Sequence, residues 1–236
     1  FGIDEKMKLD IKTYICNLEL NRYPEDSSEV LKELYGGYAG VDKENIVVGN
    51  GSDEMIGLVI GLNIAEGKKL LTLNPDFSMY DYYVSMHSGK MVKYNTKEDG
   101  SFDIDEFIEL GKKENVDMII FSNPNNPTGH AIEPFKITKI LEEFKDKVVL
   151  VDEAYYEFFG ESMIPYINRY KNLLVTRTLS KAWGLAATRV GFLIGNSEEI
   201  KKINKYKVPY NVNSLSQVIA SIVLKDRMYV EKNTKE

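Results

Sequence analysis

The chain has 236 residues, enough for one domain with a large buried core. Its 43% hydrophobic and 28% charged residues are the composition of a soluble globular protein, and a net charge of -6 argues against nucleic acid as a partner. Cys16 is alone, which excludes an internal disulfide and points to a reducing cytoplasm; no run is long enough to cross a bilayer, and no basic, then apolar, leader opens the chain.

In chain order, the small-residue turn Gly49-Asn50-Gly51-Ser52-Asp53 opens a helix predicted over Ser52–Ala65, with Met55, Ile56, Val59, Ile60 and Ile64 on one broad face. Strands are predicted over Lys69–Asn74 and Lys90–Asn95, then a helix over Ile104–Glu114 and a strand over Asp117–Ser122. A helix over Pro134–Phe144 follows, with Pro134 in the first turn, where a missing N–H does no harm. Strands over Lys147–Asp152, Asn172–Arg177 and Arg189–Ile194 come next, then a helix over Ser197–Tyr206. Most strands lack polar alternation, as expected where helices cover both faces. The pattern is that of an α/β domain with a mostly parallel sheet. Ser214–Lys232 reads as one helix striped by Leu215, Val218, Ile219, Ile222 and Val223. Residues 1–212 therefore form one large domain, and 213–236 begin a helix leading to something further.

Several chemically suggestive segments fall at strand ends, where open α/β sheets bind ligands. Thr178-Leu179-Ser180-Lys181-Ala182-Trp183-Gly184, with Arg189 close behind, offers an amine for an imine and hydroxyls plus a guanidinium for a phosphate. Asp152 is suited to hold a pyridine N–H. Tyr155, three residues on, and Asn126 in Ser122-Asn123-Pro124-Asn125-Asn126-Pro127-Thr128-Gly129 are suited to donate to a phenolic oxygen. Ser52 and Asp53 begin a helix whose N–H groups suit an anion, provided the Asp53 and Glu54 carboxylates point away. Phe77 offers a stacking face. Together these are the parts of a pyridoxal 5'-phosphate site. His87 and His130 lack ligand spacing, so no metal is expected.

These residues resemble the fold-type-I pyridoxal-phosphate aminotransferases. Asn21-Arg22-Tyr23-Pro24-Glu25, the segment from Gly49 to Glu54, and Pro209-Tyr210-Asn211-Val212-Asn213-Ser214-Leu215-Ser216-Gln217 are similar to histidinol-phosphate aminotransferases in particular. The resemblance implies a three-layer αβα sandwich around a mostly parallel seven-stranded sheet. It also implies a homodimer in which Tyr23 reaches the phosphate bound by the neighbouring subunit. Phe1-Gly2 looks like the end of the family's N-terminal arm. The family's small C-terminal domain, which carries the substrate-binding arginines, has no counterpart in the sequence. The implied reaction transfers an amino group between histidinol phosphate/imidazole-acetol phosphate and glutamate/2-oxoglutarate, in histidine biosynthesis. Three other readings share the framework: a threonine-phosphate decarboxylase, an aromatic amino-acid aminotransferase, and a regulatory domain that senses the cofactor without catalysis.

Overall fold

The computed structural model describes residues 2–235, so the reading placed on Phe1 lies outside the described residues. Among these residues seven strands form one sheet: β1 (Ile46–Asn50), β2 (Lys69–Asn74), β3 (Lys90–Asn95), β4 (Met118–Ser122), β5 (Val148–Asp152), β6 (Leu173–Thr178) and β7 (Val190–Gly195). Their spatial order is β1-β7-β6-β5-β4-β2-β3. All neighbours are parallel except β7, which runs against both β1 and β6. The helices are α1 (Glu5–Cys16), α2 (Glu29–Ala39), α3 (Ser52–Asn63), α4 (Met79–Met86), α5 (Ile104–Glu114), α6 (Pro134–Glu143), α7 (Tyr156–Phe159), α8 (Ser197–Ile203), α9 (Ser214–Leu224) and α10 (Arg227–Lys235).

The central strands are apolar on both faces because both faces are covered. In β4, Met118 and Ile120 pack with Met55, Ile56, Val59 and Ile60 of α3, Tyr80 and Val84 of α4, and Ile200 of α8. Ile119 and Phe121 point the other way, into a core shared with Leu31 and Tyr35 of α2, Phe107 of α5, Ile137 and Leu141 of α6, and Ala220 and Val223 of α9. The result is the three-layer αβα sandwich that the resemblance implies. Each large apolar side chain in these layers stabilises the fold by roughly 1.5–3 kcal/mol.

The helix over Ile104–Glu114 lies where the pattern predicts, started by Asp103, whose carboxylate accepts from the N–H groups of Asp105 (2.8 Å) and Glu106 (3.1 Å). Elsewhere the structure corrects the sequence reading. Gly49-Asn50 is not only a turn but the end of strand β1, paired to β7. Strand β6 closes at Thr178, one residue beyond Arg177. The predicted helix over Ser214–Lys232 is two helices. It breaks at Lys225-Asp226, where the Asp226 carboxylate accepts from the Met228 N–H at 3.1 Å and starts α10 afresh.

Candidate active site

The carboxyl ends of β1, β4, β5 and β6 lie on the same side of the sheet, and because β7 is reversed its first residues meet those of its neighbours β1 and β6 there. Gly49 and Thr178 both pair with Gly191. Ser122, Asp152 and Thr176 stand side by side across β4, β5 and β6. A cavity at this edge is lined by every residue singled out from the sequence except Tyr23: Ser52, Asp53, Phe77, Asn126, Asp152, Tyr155, Thr178, Ser180, Lys181 and Arg189. Ser122 and Ala154 complete the lining.

Asp152 ends β5 and is 4% exposed. Tyr80 Oη donates to its Oδ2 at 3.0 Å, and Thr176 Oγ1 donates to Oδ1 at 2.9 Å. Burial raises its pKa to about 6 against the opposing pull of these hydroxyls. A carboxylate held this way gains most from a cationic N–H in the cavity. Neither Tyr80 nor Thr176 was found by sequence reasoning. Tyr80 follows Phe77 by three residues and stands edge-on to it, with ring centroids 5.6 Å apart. The spacing was visible, but the partner 72 positions away was not.

Lys181 follows β6 on a turn closed by the Gly184 N–H donating to the Lys181 carbonyl at 2.8 Å. Leu179, Ala182 and Trp183, all 0% exposed, anchor this turn in the core. Lys181 itself stays exposed, its Nζ 5.2 Å from the centroid of the Tyr155 ring.

The asparagine-rich turn after β4 divides its labour. Asn123 mimics a strand partner, exchanging hydrogen bonds with the Ile132 carbonyl (3.0 Å) and N–H (2.7 Å). Asn125 Oδ1 accepts from Thr128 N–H (3.2 Å) and Oγ1 (2.8 Å). These two do the turn chemistry. Asn126 is held by its backbone, whose N–H donates to Ser122 Oγ at 2.9 Å.

At the far end, α3 begins against the start of β7. A Cβ on Gly191 would lie 2.1 Å from the Ser52 nitrogen, and one on Gly51 (φ +80°) would lie 2.6 Å from Arg189 Nη2. Both positions require the missing side chain. Arg189 has a left-handed backbone, φ 51°, uncommon for a residue with a side chain. Its Nη2 donates to Asp53 Oδ2 at 2.8 Å and its Nη1 to Ser180 Oγ at 3.4 Å. Glu54 does turn away, accepting from the Asn50 N–H and from Asn211 Nδ2. Asp53 does not: its carboxylate faces the cavity and is balanced by Arg189, contrary to the expectation that both acids point outward. Thr178 Oγ1 and Ser180 Oγ lie 3.0 Å apart beside this pair. The helix N-terminus, two hydroxyls and a guanidinium offer an anion cradle, in which the Asp53 carboxylate occupies one arm of the guanidinium.

Tyr23 lies away from the cavity. It is 81% exposed and stacks on Tyr210 with ring centroids 4.8 Å apart. Among the described residues no cluster of three metal-ligating side chains occurs, and no helix is long and apolar enough to cross a membrane.

The chain is similar to the histidinol-phosphate aminotransferase of Clostridium novyi, with 45% identity over 98% of this chain and 65% of that protein. Among solved structures, the histidinol-phosphate aminotransferase from Clostridium acetobutylicum is 30% identical, with a TM-score of 0.87 over 99% of this chain and 69% of the other. That from Sinorhizobium meliloti, solved in complex with pyridoxal-5'-phosphate, shares the fold at a TM-score of 0.91 and 22% identity, covering 100% of this chain and 64% of the other. The chain thus spans about two thirds of the length of the relatives it matches. The family model for aminotransferase class I and II matches residues 17–236, and the chain belongs to that family.

Proposed function

We propose that this chain carries the cofactor-holding part of a pyridoxal-phosphate-dependent aminotransferase. It exchanges an amino group between histidinol phosphate/imidazole-acetol phosphate and glutamate/2-oxoglutarate, as a step of histidine biosynthesis. The observation that carries the reading is one cavity that presents an exposed lysine amine, a buried carboxylate and an anion cradle together. The donor set fits the cofactor: a carboxylate without a cation at one end suits a pyridine N–H, and the cradle at the other suits a phosphate. The two glycines at that end let the start of α3 and the Arg189 guanidinium approach closely, which brings the cradle's donors together.

When bound, pyridoxal phosphate supplies an electron-withdrawing ring that stabilises negative charge on the substrate's α-carbon. Asp152 keeps the ring nitrogen protonated. Asn126 and Tyr155 donate to the phenolic oxygen, and Phe77 covers one face of the ring. Ser52 and Asp53 offer backbone N–H groups to the phosphate, joined by Thr178, Ser180 and Arg189. Lys181 would hold the cofactor through its Nζ, and that amine, when free, would be the base for the substrate's α-proton.

Residues 1–212 act as the large domain, and 213–236 lead towards the domain that supplies the substrate-binding arginines. The protein works as a cytoplasmic homodimer, with the exposed Tyr23 reaching the partner's phosphate. The curated relatives favour histidinol phosphate over the other amine substrates. Borohydride reduction of the cofactor-loaded protein followed by peptide mapping tests the central claim: a pyridoxyl label on Lys181 is expected, and a label elsewhere overturns it. Lys181→Ala should lose both the visible absorbance and turnover. Release of CO₂ from threonine phosphate, without transamination of histidinol phosphate, would assign the decarboxylase instead.

A further inference from the structure

We infer that Asp76 is a positioning residue: its carboxylate clasps the turn that carries Phe77 to the turn that carries Asn126, and so sets the donor to the phenolic oxygen against the side chain that covers the ring. The inference rests on the cofactor reading above. It starts from a gap in the sheet. The ladder between β2 and β4 covers Leu70↔Met118 and Leu71↔Ile119 and goes no further, so the two strands part as they approach the cavity. Thr72, 2% exposed on β2, has a hydroxyl without a hydrogen-bond partner among the described residues.

Beyond the gap, side chains rejoin the two elements. Asp76 Oδ1 accepts from the Phe77 N–H at 2.8 Å and from Ser122 Oγ, while Oδ2 accepts from the Ser122 N–H at 3.2 Å. Ser122 Oγ in turn accepts from the Asn126 N–H at 2.9 Å. Asn125 Nδ2 adds a bond to the Pro75 carbonyl at 3.3 Å. Asp76 does not line the cavity, whereas Phe77, Ser122 and Asn126 do. One carboxylate therefore fixes three residues around the ring position without touching it. Burial raises the Asp76 pKa to about 7, with the nearby Asp152 adding to the rise. A carboxyl group this poorly hydrated depends on the hydrogen bonds just described.

A donor at the phenolic oxygen lowers the pKa of the lysine-linked cofactor, read as the pH midpoint of its visible band. That midpoint is the test, measured on the cofactor-loaded protein together with the cofactor dissociation constant. Asp76→Ala should raise the midpoint by about one pH unit, in the direction of Asn126→Ala, because the donor is no longer held in place. Ser122→Ala should do the same, and the double variant should add nothing, since both changes cut one chain. Asp76→Asn keeps one acceptor oxygen and is the variant to use if the alanine form does not fold; it should raise the midpoint by less. A general loss of packing would lower melting temperature and retention but leave the midpoint of the bound fraction alone. Unmoved midpoints in the Asp76 variants, or fully additive shifts with Ser122→Ala, would overturn the inference. A parent protein with no Lys181-linked band would instead defeat the functional reading itself.

Discussion

Replacing Asp152 by asparagine should stabilise the cofactor-free protein while abolishing its chemistry. Asp152 is 4% exposed, and its two side-chain donors, Tyr80 and Thr176, are hydroxyls that can also accept, so the remaining amide oxygen stays free for the Ala154 backbone N–H. An asparagine of nearly the same shape can therefore keep both contacts. The carboxylate carries a cost that the amide does not: its pKa rises from an ordinary 3.8 to about 6 on burial. Two pH units correspond to about 3 kcal/mol. The sign follows from the direction of the shift. The folded protein binds the Asp152 proton more tightly than the unfolded chain does. Stability from this group is therefore fully present below about pH 4 and is lost as pH rises through about 6. The variant and its parent should melt together near pH 4, and the variant should gain steadily up to about pH 7. For a chain of this size 3 kcal/mol is a rise of about 6–12 °C in melting temperature. Thermal melts of both cofactor-free forms from pH 4 to 8 measure it. A difference that does not change with pH, or a variant less stable than its parent at pH 8, would refute the reasoning. Cofactor binding should move the other way: a pyridine N–H compensates the buried charge of aspartate but finds no charge on asparagine, so turnover should fall steeply.

Other perturbations probe other parts of the architecture. Arg189→Ala should weaken cofactor retention by about 30-fold, the worth of a charged hydrogen bond to phosphate, while turnover at saturating cofactor changes much less; equal affinity in parent and variant would remove Arg189 from the cradle. Gly191→Ala places a Cβ 2.1 Å from the Ser52 backbone nitrogen and should cost about 3 kcal/mol in a urea melt, since neither backbone segment can yield cheaply. Glu153→Ala should be more damaging. Arg177 is 2% exposed, lies 2.7 Å from the Glu153 carboxylate and has its guanidinium carbon 3.4 Å from the centroid of the Tyr156 ring. Removing the acid strands a buried charge at about 3–5 kcal/mol, which a melting curve resolves.

Much of this molecule was legible in one dimension. Apolar runs mark six of the seven strands, whereas β1 was hidden because Ile46-Val47-Val48 is short and runs straight into a glycine-rich turn; an Asp ahead of an amphipathic stretch suits a helix start, as at Asp103. Lys181, Asp152, Asn126 and Arg189 stood out by residue type and by their places at or just beyond strand ends, and one cavity gathers them. Other elements were hidden because local signals conflict with packing. Helix α2 carries Gly36 and Gly37 in its interior, poor helix formers in isolation. Gly36 is there because the chain folds back on it: a Cβ would meet the Val41 carbonyl at 2.7 Å. Only tertiary structure decided the strand order, and with it the row Ser122–Asp152–Thr176, the reach of Tyr80 to Asp152, and the pairing of Asp53 with Arg189 across 136 positions. Local sequence specifies dihedral preference and which face is apolar; it carries no distance between segments. That distance is set when the two cores close on the sheet, and the environment of each site residue is settled with it.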